Sequence, residues 1–355
     1  MNSPPETSAL AAPATFLPWQ RDMARDWLAQ RSRFAHAWLI HGMAGIGKTQ
    51  FALAAAASLL CEDPQQGLAC GHCQACRWVA LGHHPDVRRI RPDAVAAQEG
   101  EAMDDGDAAS EKKTPSREIR IEQLRKLNDW FNTATHRGGW RVAVLYPAQT
   151  LNHISANALL KVLEEPPAHT VFLLVVDAPD RLLPTLVSRC RRLPLPTPDP
   201  RTSLQWLTEQ GVARAAQWLA AAGRAPLLAL RQAGTEDAPH PAWLSTLLEQ
   251  SAQGAVSVAH LADQLEPLPV LQWIDTLQRL LLDLALAGRG LTVRYYPGMA
   301  AVITTLARGI DVRALMAMAK WLTAQRALAN HPLNAKLYAH AIAQQTARVL
   351  QARPA

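Results

Sequence analysis

The segment Gly42-Met43-Ala44-Gly45-Ile46-Gly47-Lys48-Thr49 limits the possible folds of this chain more than any other stretch. It has a glycine, four free positions, then glycine, lysine and a hydroxyl residue. Residues 37–41, Ala-Trp-Leu-Ile-His, read as a short buried strand in front of it, and the alanine-rich residues 51–60 as a helix behind it. That context suits a phosphate loop. Gly42, Gly45 and Gly47 let the backbone close around a polyphosphate, the helix N-terminus faces the negative charge, Lys48 reaches the outer phosphates and Thr49 can ligate magnesium. The implied ligand is ATP or ADP with Mg2+. The competing account is a chance Gly-rich turn, which the flanking strand and helix argue against. Binding does not entail hydrolysis, and the rest of the sequence bears on that difference.

A doubly wound α/β domain follows from the alternation of elements. Residues 19–31 have helical apolar spacing at Trp19, Met23, Trp27 and Leu28. Strands are expected at 87–91, 140–146, 171–176 and 190–195. Helices are expected at 119–131 and at 155–165, with Ser155 as cap and Pro166-Pro167 as stop, and a short helix or turn at 181–188. The strand at 140–146 is almost continuously apolar, as the centre of a parallel sheet requires. Residues 1–18 read as loose, and 98–116, with six acidic residues and no aromatic one, as a mobile surface loop. Pro194, Pro196, Pro198 and Pro200 then mark a linker, because proline denies both helix and sheet ladder. Beyond it the pattern is helical, with a second break at 234–241 and a repeat such as Leu277, Leu280, Leu281 and Leu284 further on.

Four of the five cysteines, Cys61, Cys70, Cys73 and Cys76, follow directly on the loop's helix. Four thiolates complete a tetrahedral zinc shell and leave no open position, so such a site is structural. His72, His83 and His84 are candidate substitutes for one ligand. Ordinary reduced thiols or a redox pair are the alternatives. No helix with a basic face is expected after them, which separates the spacing from a nucleic-acid finger.

A phosphate-loop ATPase also holds magnesium through an acid at the end of a second strand. Here that strand ends in Tyr146-Pro147-Ala148-Gln149. Neither Tyr146 nor Pro147 can replace an Asp-Glu pair, so little or no intrinsic hydrolysis is expected. Asp177, ending the next strand, is expected in a surface or capping role. The formal net charge of +6 permits an acidic partner without requiring one. No apolar run approaches a membrane span, and no secretory signal is visible at the N-terminus.

Residues 157–167, Asn-Ala-Leu-Leu-Lys-Val-Leu-Glu-Glu-Pro-Pro, with Ser188-Arg189-Cys190, resemble the AAA+ subunits of clamp loaders. The four-Cys insertion fits the bacterial members. The resemblance covers about 19–195 strongly and the helical remainder in layout. It implies an AAA+ domain over 1–195 with a zinc module at 61–76, a helical lid over 196–240 and a helical collar over 241–355. It also implies a cytoplasmic role in DNA replication. The chain would be a component of a DNA-directed DNA polymerase holoenzyme, a nucleotidyltransferase, rather than a catalyst alone. The implied partners are gamma/tau and delta in a hetero-pentamer, and through it the sliding clamp and primer-template DNA. Arg189 is the implied arginine finger, directed at a neighbour's ATP; on its own residues it reads as part of a solvated turn with Arg191 and Arg192. Lys161 and its helix are implied to face the DNA channel.

Two departures from the family's motor subunits point to a stator. One is the missing acidic pair. The other is Gly223-Arg224-Ala225-Pro226, which has proline where a sensor arginine is usual. Rival readings are an autonomous AAA+ ATPase of motor type, using Asp177, and a zinc-dependent nucleic-acid module.

Overall fold

The computed structural model describes residues 14–31, 34–100, 114–136, 139–329 and 334–351. Most of the acidic stretch expected to be a mobile loop, and most of the N-terminal segment expected to be loose, lie outside these residues. The chain divides into two compact units, residues 1–202 and 203–355.

The first unit is built on a five-stranded parallel sheet. In chain order its elements are α1 (Arg21–Leu28), β1 (Ala37–His41), α2 (Lys48–Leu60), α3 (Gln74–Ala80), β2 (Val87–Ile90), α4 (Asp93–Gln98), α5 (Ile121–Phe131), β3 (Arg141–Leu145), α6 (His153–Glu164), β4 (Thr170–Val176), α7 (Pro184–Arg189) and β5 (Arg191–Pro194). The strand order is β2-β3-β4-β1-β5, and every pairing is parallel. The two-residue period of a strand sends alternate side chains to opposite faces. Trp38, Ile40, Val144 and Leu173 pack with Phe51 and the alanines of α2 on one face. Leu39, Leu145, Phe172 and Leu174 pack with Leu124, Leu159 and Leu186 on the other. Both faces are covered, which is why β3 and β4 are buried along their whole length.

Helix α2 is buried nearly all round, including Ala52, Ala54, Ala55, Ala56 and Ala57. Small side chains let it lie close to the sheet, which keeps the loop before it tight against the strand ends. Helix α6 begins two residues earlier than the sequence suggests. Its cap is Asn152, whose side chain accepts from the Ser155 amide at 2.9 Å. Ser155 is instead fully buried and donates from Oγ to Ile119 O at 2.8 Å. Asn and Ser cap equally well in isolation, and the contact with residue 119 decides between them. Helices α3 and α4 were not foreseen from periodicity; each is only one or two turns long.

The second unit is all helical. It begins within α8 (Pro200–Glu209) and continues through α9 (Ala215–Ala221) and α10 (Pro226–Thr235), which share a small core around Leu207, Trp218, Leu219 and Ala229. Pro226 opens α10, where a missing N–H costs nothing. A larger core gathers α11 (Ala242–Ala252), α12 (Val258–Leu265), α13 (Val270–Ala287), α14 (Ala300–Ala307), α15 (Val312–Leu328) and α16 (Ala335–Gln351). Leu277, Leu280, Leu281 and Leu284 of α13 are all buried in it. The fully buried Asp283 of the same helix accepts the amides of Arg294, Tyr295 and Tyr296 at 2.8–3.0 Å, which ties down the turn before α14. Among the described residues no helix is long and apolar enough to cross a membrane.

Candidate functional site

The phosphate loop leaves the C-terminal end of β1 and enters α2. Gly42, Gly45 and Gly47 have φ of 152°, 77° and 90°, and Gly47 is the N-cap of α2. Positive φ disfavours any side chain at these positions. At Gly42 space forbids one as well, because a Cβ would lie 2.6 Å from Leu195 O. The loop is held from outside. Trp19 Nε1 donates to Ile46 O at 3.1 Å, and Gln20 Nε2 donates to Ile46 O and Gly47 O at 3.2 and 2.9 Å. Gln20 is itself buried, so the turn before α1 acts as a clasp on the loop. The glycine conformations, the lysine opening the helix and the hydroxyl of Thr49 after it together fit a polyphosphate.

Lys48 is only 5% exposed. Its Nζ donates to Met43 O at 2.6 Å and forms an ion pair with Asp177. The register explains the pair. His41 lies opposite Val176 in the β1–β4 ladder, so Asp177 emerges beside the first glycine of the loop. Asp177 is exposed, as expected of a surface residue, and in addition it contacts the loop's cation directly. Gln149 holds the same residue from the side: its Nε2 donates to Asp177 Oδ2, and its Oε1 accepts the Asp177 amide, both at 3.3 Å. At the end of β1, burial and the nearby charges of Arg192 and Lys48 push the His41 imidazole below its usual range.

At the end of β3, Tyr146 is buried and its hydroxyl donates to Glu99 Oε2 at 2.9 Å. Glu99 also pairs with Arg91 at 2.8 Å. Burial raises the Tyr146 hydroxyl far above its usual range, so it stays a neutral donor. A neutral phenol tied to a carboxylate that is already paired with an arginine is not a magnesium ligand. Glu99 went unnoticed in the sequence because it sits at the edge of an acidic, apparently featureless run.

Arg189 lies elsewhere. It ends α7, just before β5, and Arg191 is in register with Trp38 near the start of β1. The phosphate loop follows the opposite end of β1. The length of the sheet separates them, on the order of 15 Å at about 3.3 Å per residue. The guanidinium forms an ion pair with Glu164, the last residue of α6, and donates to Thr185 O at 3.0 Å. Lys161 is exposed on the same helix.

Cys61, Cys70, Cys73 and Cys76 converge, with all four Sγ atoms within 4.8 Å of one another. The Cys61–Cys73 and Cys70–Cys76 separations are 3.9 and 4.0 Å. A tetrahedron with metal–sulfur bonds of about 2.3 Å has edges of roughly 3.8 Å, so the group can hold a metal ion. Amides of Cys70, Cys73 and Cys76 donate to the sulfurs of Cys61, Cys70 and Cys73 at 3.3–3.4 Å, as they would to thiolates. The His72 amide draws Cys70 down to about 7, while burial pushes Cys61 and Cys76 up. The three histidines are not in the cluster. Nδ1 of His72 lies 3.0 Å from Cys70 O, and His84 Nδ1 accepts from the Asp86 amide at 3.0 Å.

Comparison with known proteins shows the family. A family model described as "DNA polymerase III, delta subunit" matches residues 23–199. The chain is 34% identical over 324 residues to DNA polymerase III subunit delta-prime of Pseudomonas aeruginosa, covering 88% of this chain and 91% of that one. This chain belongs to the delta-prime family. A second relative is DNA polymerase III subunit tau of Salmonella typhimurium, 37% identical over 158 residues, 44% of this chain and 21% of that one. Among solved structures, a gamma subunit-related protein of Thermotoga maritima aligns over 94% of this chain and 99% of its own, with 15% identity and a TM-score of 0.40. Membership of the delta-prime family supports a clamp-loader role and fits the AAA+ resemblance read from residues 157–167 and Ser188-Arg189-Cys190.

Proposed function

We propose that this chain is the stator of a DNA polymerase III clamp loader, and that Arg189 acts on the ATP of a neighbouring subunit. One observation carries the reading: Arg189 and the chain's own phosphate loop are at opposite ends of the same sheet. The arginine is out of reach of a nucleotide bound in cis. At a subunit boundary, its guanidinium supplies positive charge where negative charge develops on a γ-phosphate.

The chain's own loop is then a cradle without an engine. Gly42, Gly45, Gly47, Lys48 and Thr49 hold ATP or ADP with Mg2+, and no acid stands at the end of β3 to complete a hydrolytic site. Bound magnesium would neutralise phosphate charge; the chain's residues fix the phosphates and exclude solvent from them. Zinc on Cys61, Cys70, Cys73 and Cys76 serves as a structural staple for the segment after α2. On this reading residues 1–195 form the nucleotide-binding domain, 196–240 a lid and 241–355 a collar. The collar joins gamma/tau and delta in a pentamer that opens the sliding clamp and sets it on primer-template DNA.

The test is the DNA-stimulated ATPase of the reconstituted complex. Arg189→Ala should leave assembly intact and slow turnover at the facing site, where such an arginine is worth about 10³–10⁵ in rate. An unchanged rate removes Arg189 from the mechanism. An autonomous ATPase would need Asp177 to hold magnesium, and its carboxylate is engaged with Lys48. Turnover by the purified chain alone, abolished by Lys48→Ala, would favour that rival.

A further inference from the structure

A phosphate loop works by leaving its lysine free for the outer phosphates. In this chain the lysine has another partner. Lys48 is almost wholly buried, and its ammonium is shared between Met43 O and the Asp177 carboxylate. Asp177 is not there by chance of side-chain rotation. The β1–β4 register delivers it beside Gly42, and Gln149 grips both its backbone amide and its second carboxylate oxygen. The pair is also asymmetric. Lys48 is held inside the loop, whereas the Asp177 side chain is 44% exposed and has water to move into.

We propose that Asp177 sets the nucleotide affinity of this loop by competing with the outer phosphates for Lys48. A polyphosphate entering the cradle must exchange one anion for another at Nζ. The displaced carboxylate stays attached to β4 and keeps a like charge close to the phosphates. The loop is thereby a weak, carboxylate-gated site for a magnesium nucleotide, open to ligands with enough phosphate charge to win the exchange. Gln149 holds the gate shut. This rests on the reading of Gly42 to Thr49 as a nucleotide cradle.

The full-length chain is titrated with ATP and with ADP, each with Mg2+, by calorimetry. Asp177→Asn keeps the shape and the Gln149 contacts but removes the charge. It should tighten binding by about tenfold, and the gain should vanish in a Lys48→Ala background. Asp177→Ser provides a second neutral side chain should the first variant melt early. Equal affinity of the wild type and both neutral variants overturns the gate and leaves the cradle standing. Weaker binding in the variants also overturns it, and makes Asp177 a helper of the bound magnesium nucleotide. No binding by any form overturns both the gate and the cradle, while the Arg189 test in the complex remains independent of either result.

Discussion

Arg189 is joined to Glu164 by an ion pair that links the last residue of α7 to the last residue of α6. Both side chains are substantially exposed, so the pair contributes at most about 1 kcal/mol to stability. A carboxylate at a helix C-terminus is also unfavourable with respect to the helix dipole. The contact has little to offer the fold and much to offer the direction of the guanidinium. Glu164→Ala should leave the melting temperature nearly unchanged and slow the DNA-stimulated ATPase of the complex by up to about fivefold, the rate equivalent of 1 kcal/mol. Glu164→Gln should do less. A wild-type rate in Glu164→Ala would show that Arg189 orients itself without help.

The five cysteines should separate by reactivity according to their burial. Cys190 is 8% exposed, and burial pushes its thiol up to about 12. A thiol reagent at pH 8, with a strong chelator present, should modify the half-buried Cys61, Cys70 and Cys73, Cys70 fastest, ahead of the buried Cys76 and Cys190. Chelation should also lower the melting temperature, since metal affinity is folding free energy at such a site. Five equally reactive thiols would contradict the burial of Cys76 and Cys190. For Cys190 the sign with pH is fixed: the unfolded thiol ionises near 9 while the folded one holds its proton to about 12. Its contribution to stability is full below pH 9 and falls as pH rises through that window.

Asp283 tests the second unit. Its carboxylate is fully buried on α13 and accepts three backbone amides, those of Arg294, Tyr295 and Tyr296. Asp283→Ala strands these donors away from water and should cost about 3 kcal/mol or more in chemical denaturation. Asp283→Asn keeps one good acceptor and should cost roughly half as much. A loss below 1 kcal/mol for the alanine variant would mean that water reaches the turn.

Removing the cap of α6 gives a smaller effect. Asn152→Ala should destabilise the chain by about 1 kcal/mol, and Asn152→Ser should restore most of it. Thermal melts of the two variants check this. If the serine variant were as unstable as alanine, the bond from Asn152 Nδ2 to Glu118 at 3.2 Å would be the contact that matters.

Much of this protein could be read without coordinates. The strand at 37–41, the loop after it and the apolar strands at 140–146 and 171–176 are legible because burial on both faces leaves a run of apolar residues between turn signals. The cysteine spacing is legible because a tetrahedral shell needs four sulfurs close in sequence or brought close by one short loop. The lack of an acid after Val144-Leu145 is a local fact, and it argues against a hydrolytic engine directly. The burial of Ser155, the short helices α3 and α4 and the role of Glu99 were not legible. Ser155 and Glu99 depend on partners outside their own segments, the Ile119 carbonyl for the first and Arg91 and Tyr146 for the second, while α3 and α4 are too short to show a period.

The sequence by itself determined that a glycine-rich loop ends in Lys48, and that an arginine follows Ser188. It could not determine which strands lie side by side, because parallel strands are paired across crossovers that leave no local trace. Only the strand order β2-β3-β4-β1-β5 sets β4 beside β1 and so delivers Asp177 to Lys48. The parallel β1–β5 pairing, with Arg191 in register with Trp38, puts Arg189 at the end of the sheet opposite the loop. Whether the lysine is free and whether the arginine faces its own loop are questions of register, which tertiary packing of the two sheet faces decides.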